Sequence, residues 1–318
     1  MMKKSSIRVI SPGFQTSVQD LGRPGYAHLG VSASGAADSV SLRLGNLLVG
    51  NEPSAAGLEM TLVGGTFEFD SSCIVALTGS DFGATLDGQA VPLWTSVLVK
   101  PRQVLRCGST KSGARSYLCV RGGIDVPRML GSDSTHLMTS LGGFRGGPLK
   151  PGDALSCHEP PEDSSMRLKR VKERVIRRLT KRATLRVTAG PQADLFPDEV
   201  RSLFASSSYQ ITEEANRMGL RLSGPALKRQ SGEDIVTEGV PLGAIQVPHD
   251  GKPIILFVEH QTTGGYPKIA NVISADMHIV GQLRPRDRVQ FEFDSVDHAV
   301  AFLAEQESLI SSASLEPV

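Results

Sequence analysis

The chain has 318 residues, 40% of them hydrophobic and 21% charged, with a formal net charge of +1. Disorder over most of the chain is excluded, and so is the overall basic field of a nucleic-acid binder. The length suggests two domains, and 33 Gly and 19 Pro beside 11 Phe, 4 Tyr and 1 Trp predict a turn-rich protein with more sheet than helix.

The start, MMKKSSIRVISPG, is charged but has no apolar stretch behind the charge, so no secretory leader is expected. The longest apolar runs, such as Ile254 to Val258, fall far short of the roughly 18 residues a membrane span needs. A cytoplasmic protein with no membrane and no nucleic-acid partner is expected. In the first half, IRVI, FEF, CIVAL, SVLVK, VLRC and SYLCV read as short strands bounded by Gly, Pro, Ser or Asp. Unbroken apolar character in CIVAL and in the VLV of SVLVK predicts burial on both faces, as inside a barrel or sandwich. One helix is expected after Ser34-Gly-Ala-Ala-Asp38, with Val40, Leu44, Leu47 and Leu48 on one face and Gly50-Asn51 as its stop. Cys73, Cys107, Cys119 and Cys157 form no CxxC pair and have no nearby His at ligand spacing, so packed, reduced thiols and no metal site are expected.

Composition changes after Cys157. HEPPEDSS (158–165) reads as a turn-rich linker, and residues 166–182 hold nine Arg or Lys against one Glu. Leu168, Val171, Val175 and Leu179 recur at helical spacing there, which predicts a basic amphipathic helix. The second half then offers a strand at TLRVTAG from 184, a helix near Asp198–Ala205, strands at IQV, PIILFV and RVQFEF, a terminal helix VDHAVAFLAEQESLI, and a frayed SSASLEPV tail. IRVISPG (7–13) echoes LRVTAGP (185–191), and LVKPRQV (98–104) echoes QLRPRDRV (282–289). These echoes suggest a duplicated β-rich domain. The expected division is 1–160, a basic linker or helix at 161–183, and 184–318.

Familiar catalytic signatures are missing. GGFRGG (142–147) lacks the Lys and hydroxyl of a phosphate-binding loop, and no HExxH, EF-hand loop, GxSxG or biotin-accepting M-K-M occurs. Chemistry that needs a nucleotide or carrier must draw it from a partner. Two segments carry more polar and glycine content than packing requires. In the first, residues 16–38, Gln19, Asp20 and Arg23 alternate with glycines. In the second, EHQTTGGYPKIA (259–270), polar side chains follow a buried strand directly. Its Gly-Gly pair could free backbone N–H groups into an anion-binding nest. Tight turns with satisfied side chains are the alternative for each, favoured for the first segment and not for the second.

Several strings together resemble one family: GFQTSVQDLGRPGYAHLGVSASGAAD, NLLVGN with Leu58-Glu59, YLCVRGGIDVPRMLGSDST, NRMGLRL, EGVPLGAIQVP and QTTGGYPKIA. This is the KipA-like group of biotin-dependent carboxyltransferases, also described as allophanate hydrolase subunit 2. The strongest likeness is to its branch in bacterial ATP-dependent 5-oxoprolinases. The resemblance implies two tandem cyclophilin-like β-barrel domains, a mainly β fold. It also implies a hydrolase subunit opening 5-oxo-L-proline to glutamate, with ATP used by the complex and no covalently bound cofactor. Two partners are implied with it, one KipI-like and one LamB/YcsF-like. Urea carboxylases of the same group imply an alternative, carboxyl transfer to an amide from biotin supplied in trans. A regulatory role, antagonising a KipI-like kinase inhibitor, is a third possibility.

For the lactam reading, Arg217 or Arg23 would suit a substrate carboxylate. Backbone N–H groups of Thr263, Gly264 and Gly265 with Lys268 would suit the carbonyl. Glu238 or Glu259 could serve as acid or base, or be a salt-bridged structural carboxylate. Tyr266 is either a stacking wall or a core residue. Gln19, Asp20, Asn216, Gln246, Gln261 and Thr262 lie within the matching strings and are expected at the substrate. Two departures stand out: Glu259 where the family pattern has Asp, and Asp133 where it has Arg.

Overall fold

The computed structural model describes residues 6–158, 167–180, 184–229 and 235–318, and the chain separates into two compact units. One comprises Met1–Arg23, Ser34–Leu179 and Ser308–Val318; the other comprises Pro24–Ala33 and Thr180–Glu307.

The first unit holds a seven-stranded and a five-stranded sheet. Their facing side chains form one core. Ile7, Val9, Phe67, Phe69, Leu105 and Leu155 come from the larger sheet, and Val18, Leu58, Met60, Val75, Leu77 and Leu118 from the smaller. The smaller sheet is covered on its other face by the helix Ser39–Val49. Along its strand Arg115–Val120 every residue is buried, with Leu118 and Val120 in the inter-sheet core and Tyr117 and Cys119 under the helix. CIVAL shows the two-sided burial its apolar run predicted, with Val75 and Leu77 in the inter-sheet core and Ala76 under the helix. VLV does not: it lies on the edge strand Ser96–Val99, where Leu98 is 53% exposed. The helix starts and stops as its sequence directs. Asp38 accepts hydrogen bonds from Ser41 N (2.9 Å) and Ser41 Oγ (2.6 Å), and Gly50 ends the helix in the left-handed region at φ 76°. Gly45 allows the close approach: a Cβ there would lie 2.6 Å from Cys119 Sγ. All four cysteines are free thiols, and burial pushes those of Cys73, Cys107 and Cys157 up to about 12.

The second unit is a closed seven-stranded barrel. Its strands run in the order Thr184–Ala189, Lys268–Val272, Ala244–Gln246, Ile254–Leu256, Gly219–Ser223, Tyr209–Ile211 and Arg288–Phe293. Parallel pairing of the last strand with the first closes the ring. Phe204, on the helix Asp198–Ser206, stacks on Phe291 with ring centroids 4.5 Å apart. The Val296–Leu309 helix is tied down where Arg186, held by Asp276, lies 3.7 Å over the Phe302 ring.

The echoed motifs share a turn. Lys100 N donates to Gln103 Oε1 (2.8 Å) and Arg284 N to Asp287 Oδ2 (2.9 Å), with Arg102 and Arg286 at φ 67° and 74°. Lys150-Pro-Gly-Asp153 repeats the arrangement with a glycine at the strained position: Lys150 N donates to Asp153 Oδ2 (2.7 Å) and Gly152 has φ 89°.

Two expectations need correction. Among its described residues the basic segment is helical only over Glu173–Thr180, because residues Lys169–Val171 are a strand. The SSASLEPV tail is not frayed: Leu315–Pro317 pairs antiparallel with Lys169–Val171. Ile310 and Leu315 pack with Val171, Val175 and Leu179 in the core cluster that includes the Ser39–Val49 helix. The apolar stripe of the basic segment thus packs into the first unit, and residues 308–318 complete that unit rather than the second. The residues of the expected linker at 159–166 and 181–183 lie outside the described residues.

The returning strand carries weight, so Leu315→Ala is expected to lower the unfolding free energy by about 2–3 kcal/mol. Urea denaturation read by far-UV circular dichroism measures this. A loss under about 0.5 kcal/mol, the level of an ordinary surface change, would contradict the packing described.

Candidate functional site

Gln19, Asp20 and Arg23 hold a loop of their own unit in place. Asp20 Oδ1 accepts from Gly22 N and Ser132 Oγ, each at 2.7 Å, and Oδ2 accepts from Asp133 N at 2.7 Å. Gln19 Nε2 donates to Thr135 O (2.9 Å), while Arg23 donates to the carbonyls of Met129 and Ser134. All three side chains are buried. Asp133 pairs with exposed Arg128 at 3.3 Å. Burial raises its carboxyl, against the pull of Arg128.

The second polar segment is arranged differently. Antiparallel pairing places Ile245 opposite Ala270, but the next residue, Gln246, lies opposite Lys268. A bulge at this point skips Ile269, so Gln246 and Lys268 become a cross-strand pair. Paired residues share a face, with side chains within reach of each other. Each is only 1% exposed, yet each keeps an unsatisfied donor. Gln261 Nε2 donates to Gln246 Oε1 (3.1 Å), which orients the Gln246 amide and leaves its Nε2 without a partner among the described residues. A Cβ on Gly264 would stand 2.7 Å from that nitrogen and would push the amide aside. Lys268 Nζ has one anionic neighbour, Glu238 Oε1 at 2.5 Å, and no other partner among the described residues. Leaving buried donors unpaired costs about 1–3 kcal/mol each, more when charged. Such a pair marks a place for an acceptor oxygen.

Glu238 reaches solvent, with its side chain 43% exposed. Hydrogen bonds from Lys268 and then from Gln192 hold its carboxyl below the usual carboxylate range. Gln192 Nε2 reaches Glu238 Oε1 at 2.7 Å. Beside these groups lies a cavity of about 150 Å³ lined by Asn216, Met218, Arg221, Gln246, Gln261 and Tyr266, among others. Tyr266 is a half-exposed wall there, edge-on to His249 with centroids 6.1 Å apart, and not a core residue. Asn216 Oδ1 accepts from Met218 N at 2.8 Å and so shapes the rim.

Other expected residues have other partners. Arg217 Nε donates to Glu259 Oε1 at 2.5 Å, and Glu259 N donates back to Arg217 O at 2.8 Å. These residues are 5% and 2% exposed. The stretch Thr263–Gly264 is a short strand paired with Glu238–Gly239, next to Thr262, whose carbonyl accepts from Val240 N. Neither Gly264 nor Gly265 has positive φ, so the ladder stands where an anion nest was expected. Sequence reasoning missed Gln192 and Arg221. A Gly-Pro turn ending a strand could have pointed to Gln192. Arg221 alternates along an ordinary strand and gives no signal. No group of three His, Cys, Asp or Glu suited to a metal occurs among the described residues, and none of the described helices is long and apolar enough to cross a membrane.

Buried donors side by side near a small cavity can chemically receive the oxygen of a small acceptor-bearing molecule. The carboxyltransferase domain family, subdomains A and B, matches residues 29–293, and the chain belongs to that family. It is 39% identical over 303 residues to the 5-oxoprolinase C subunit of Escherichia coli, covering 95% of each chain. It is 37% identical over 306 residues to urea amidolyase of Saccharomyces cerevisiae, covering 90% of this chain but 16% of that one. The crystal structure of the Kluyveromyces lactis urea amidolyase superposes with a TM-score of 0.91 at 32% identity, over 100% of this chain and 21% of that one.

Arg217→Met should destabilise the second unit by about 3–5 kcal/mol, because it strands a buried carboxylate. Arg217→Met combined with Glu259→Met should recover most of that loss. Chemical denaturation of the single and double variants measures both, and a single variant as stable as wild type would mean the pair is not the structural tie described.

Proposed function

We propose that the chain is the amide-binding subunit of an ATP-dependent 5-oxoprolinase, active with a KipI-like partner and a LamB/YcsF-like partner that supply the nucleotide chemistry. The observation that carries this reading is the buried donor pair, Gln246 Nε2 and Lys268 Nζ, which faces no acceptor among the described residues except Glu238. A lactam is held as a cis amide, so its C=O and N–H point the same way. The donor pair would take the oxygen, and Glu238 Oε2 would accept the N–H. Ring opening places negative charge on that oxygen, and donors already fixed in a dry site stabilise it most. A cavity of about 150 Å³ suits a molecule far smaller than the ~300–1,000 Å³ typical of ligand pockets would hold. Arg221 lines this cavity and pairs with exposed Glu214 at 3.3 Å, so it is better placed than Arg217 for a substrate carboxylate.

Likeness to urea amidolyases favours a second reading, carboxyl transfer to urea or a related amide. The same donors suit a ureido or carboxylate oxygen, so biotin carried by a partner would fit chemically. The carrier would supply an activated carboxyl group; this chain would bind and orient the acceptor amide.

In the reconstituted complex, Lys268→Met and Gln246→Met should each lower kcat/KM by at least about tenfold, near 1.4 kcal/mol. Arg221→Gln should raise KM for 5-oxo-L-proline by about tenfold and leave turnover of 2-pyrrolidinone, which lacks the carboxylate, within twofold. Equal effects on both lactams would remove Arg221 from the carboxylate site. Urea turnover abolished by avidin would favour the second reading.

A further inference from the structure

Glu238 could meet Lys268 with either oxygen, and at 43% exposure it could also turn out to water. Its conformation is nonetheless fixed from below. The strand Thr184–Ala189 ends in Gly190-Pro191-Gln192, which bends sharply onto the next strand of the barrel. Gly190 N donates to Ile269 O (3.0 Å), and a Cβ at Gly190 would stand 2.2 Å from Lys268 O. Gln192 is then held twice against Lys268: its backbone N donates to Lys268 O (3.3 Å), and its side-chain Oε1 accepts from Lys268 N (3.2 Å). This second bond fixes which end of the amide is the donor. Gln192 Nε2 therefore points at Glu238 Oε1, at 2.7 Å.

We infer that Gln192 is a positioning residue, which pins Glu238 Oε1 against the Lys268 ammonium and thereby leaves Oε2 available as an acceptor. Oε1 receives both Lys268 Nζ and Gln192 Nε2; Oε2 receives no donor among the described residues. Without Gln192 the carboxylate could exchange its oxygens or swing away, and the buried ammonium would lose its fixed counter-ion. The low pKa of Glu238 agrees with this double donation to one oxygen. Lys268 is the charged group that acts on it; the strand Thr263–Gly264 paired with it carries none. The inference rests on the amide-binding reading only for the use made of Oε2. The placement itself does not.

The test uses Gln192→Glu, which keeps the size and the acceptor for Lys268 N but removes the donor, with Gln192→Ala as the deletion. In the isolated chain labelled with carboxyl-¹³C glutamate, and with Glu238→Gln to assign the signal, Glu238 should titrate below the ordinary carboxylate range. In both Gln192 variants its midpoint should move up. An unchanged midpoint in Gln192→Glu would overturn the inference, because it would show that Gln192 only fills space. In the reconstituted complex, kcat/KM of Gln192→Glu should fall about tenfold, and the deficit should narrow at acidic pH, where the introduced carboxyl is protonated and can donate again. A moved midpoint with unchanged activity would overturn the positioning role. A wild-type complex inactive on every lactam and ureide would count against the amide-binding function, while the isolated-chain titration would still decide the placement.

Discussion

A buried ammonium dictates the arrangement of the second unit. Lys268 is a β-strand residue of a closed barrel, almost wholly out of water, and a charge in that position must be compensated. The bulge that skips Ile269 places it beside Gln246; the Gly-Pro turn at 190–191 brings Gln192 onto its backbone; the short strand Glu238–Gly239 supplies its counter-ion. Each device is a small departure from regular barrel geometry, and all converge on one nitrogen. Restoring regular pairing would put Ile269 opposite Gln246, and the polar site would become ordinary apolar core.

The first unit uses comparable chemistry for a different end. Asp20, Gln19 and Arg23 spend their hydrogen-bonding capacity on the loop 129–135, and Glu59 accepts from Ala37 N (2.8 Å) and Tyr117 Oη (2.7 Å) beneath the helix that Asp38 caps. Asp20 and Glu59 are partnered by the chain itself. Gln19 Oε1, like Gln246 Nε2 and Lys268 Nζ, keeps no hydrogen-bond partner among the described residues, and what sets Gln246 and Lys268 apart is that two donors lie side by side.

Much of the fold was legible in the sequence, and the reason differs by element. The helix Ser39–Val49 announced itself because cap, apolar face and stop agree at every level. The strands of the first sheet core showed through as apolar runs between turns. The tail was misread because Leu315 alternates with polar neighbours and finds its partner strand 146 residues away along the Arg170–Glu316 contact, a separation no local pattern can report. The basic segment showed the right apolar positions, but Val171 reaches the core from a strand and Val175 and Leu179 from a helix. For the site, Glu238, Gln246, Gln261, Tyr266 and Lys268 came from motif resemblance and do meet in space. Their pairings could not be read, because a bulge changes register without changing composition.

The return of the chain to its first unit has a consequence for biosynthesis. Val171, Val175 and Leu179 are covered by Ile310 and Leu315, which leave the ribosome after every barrel strand. At about 5–20 residues per second, the interval between Leu179 and Leu315 is roughly 7–30 s. The barrel strands are all translated within that interval. The N-terminal unit, though begun first, is therefore the later of the two to be completed, and its apolar stripe is exposed to chaperones or to other nascent chains while the barrel is made.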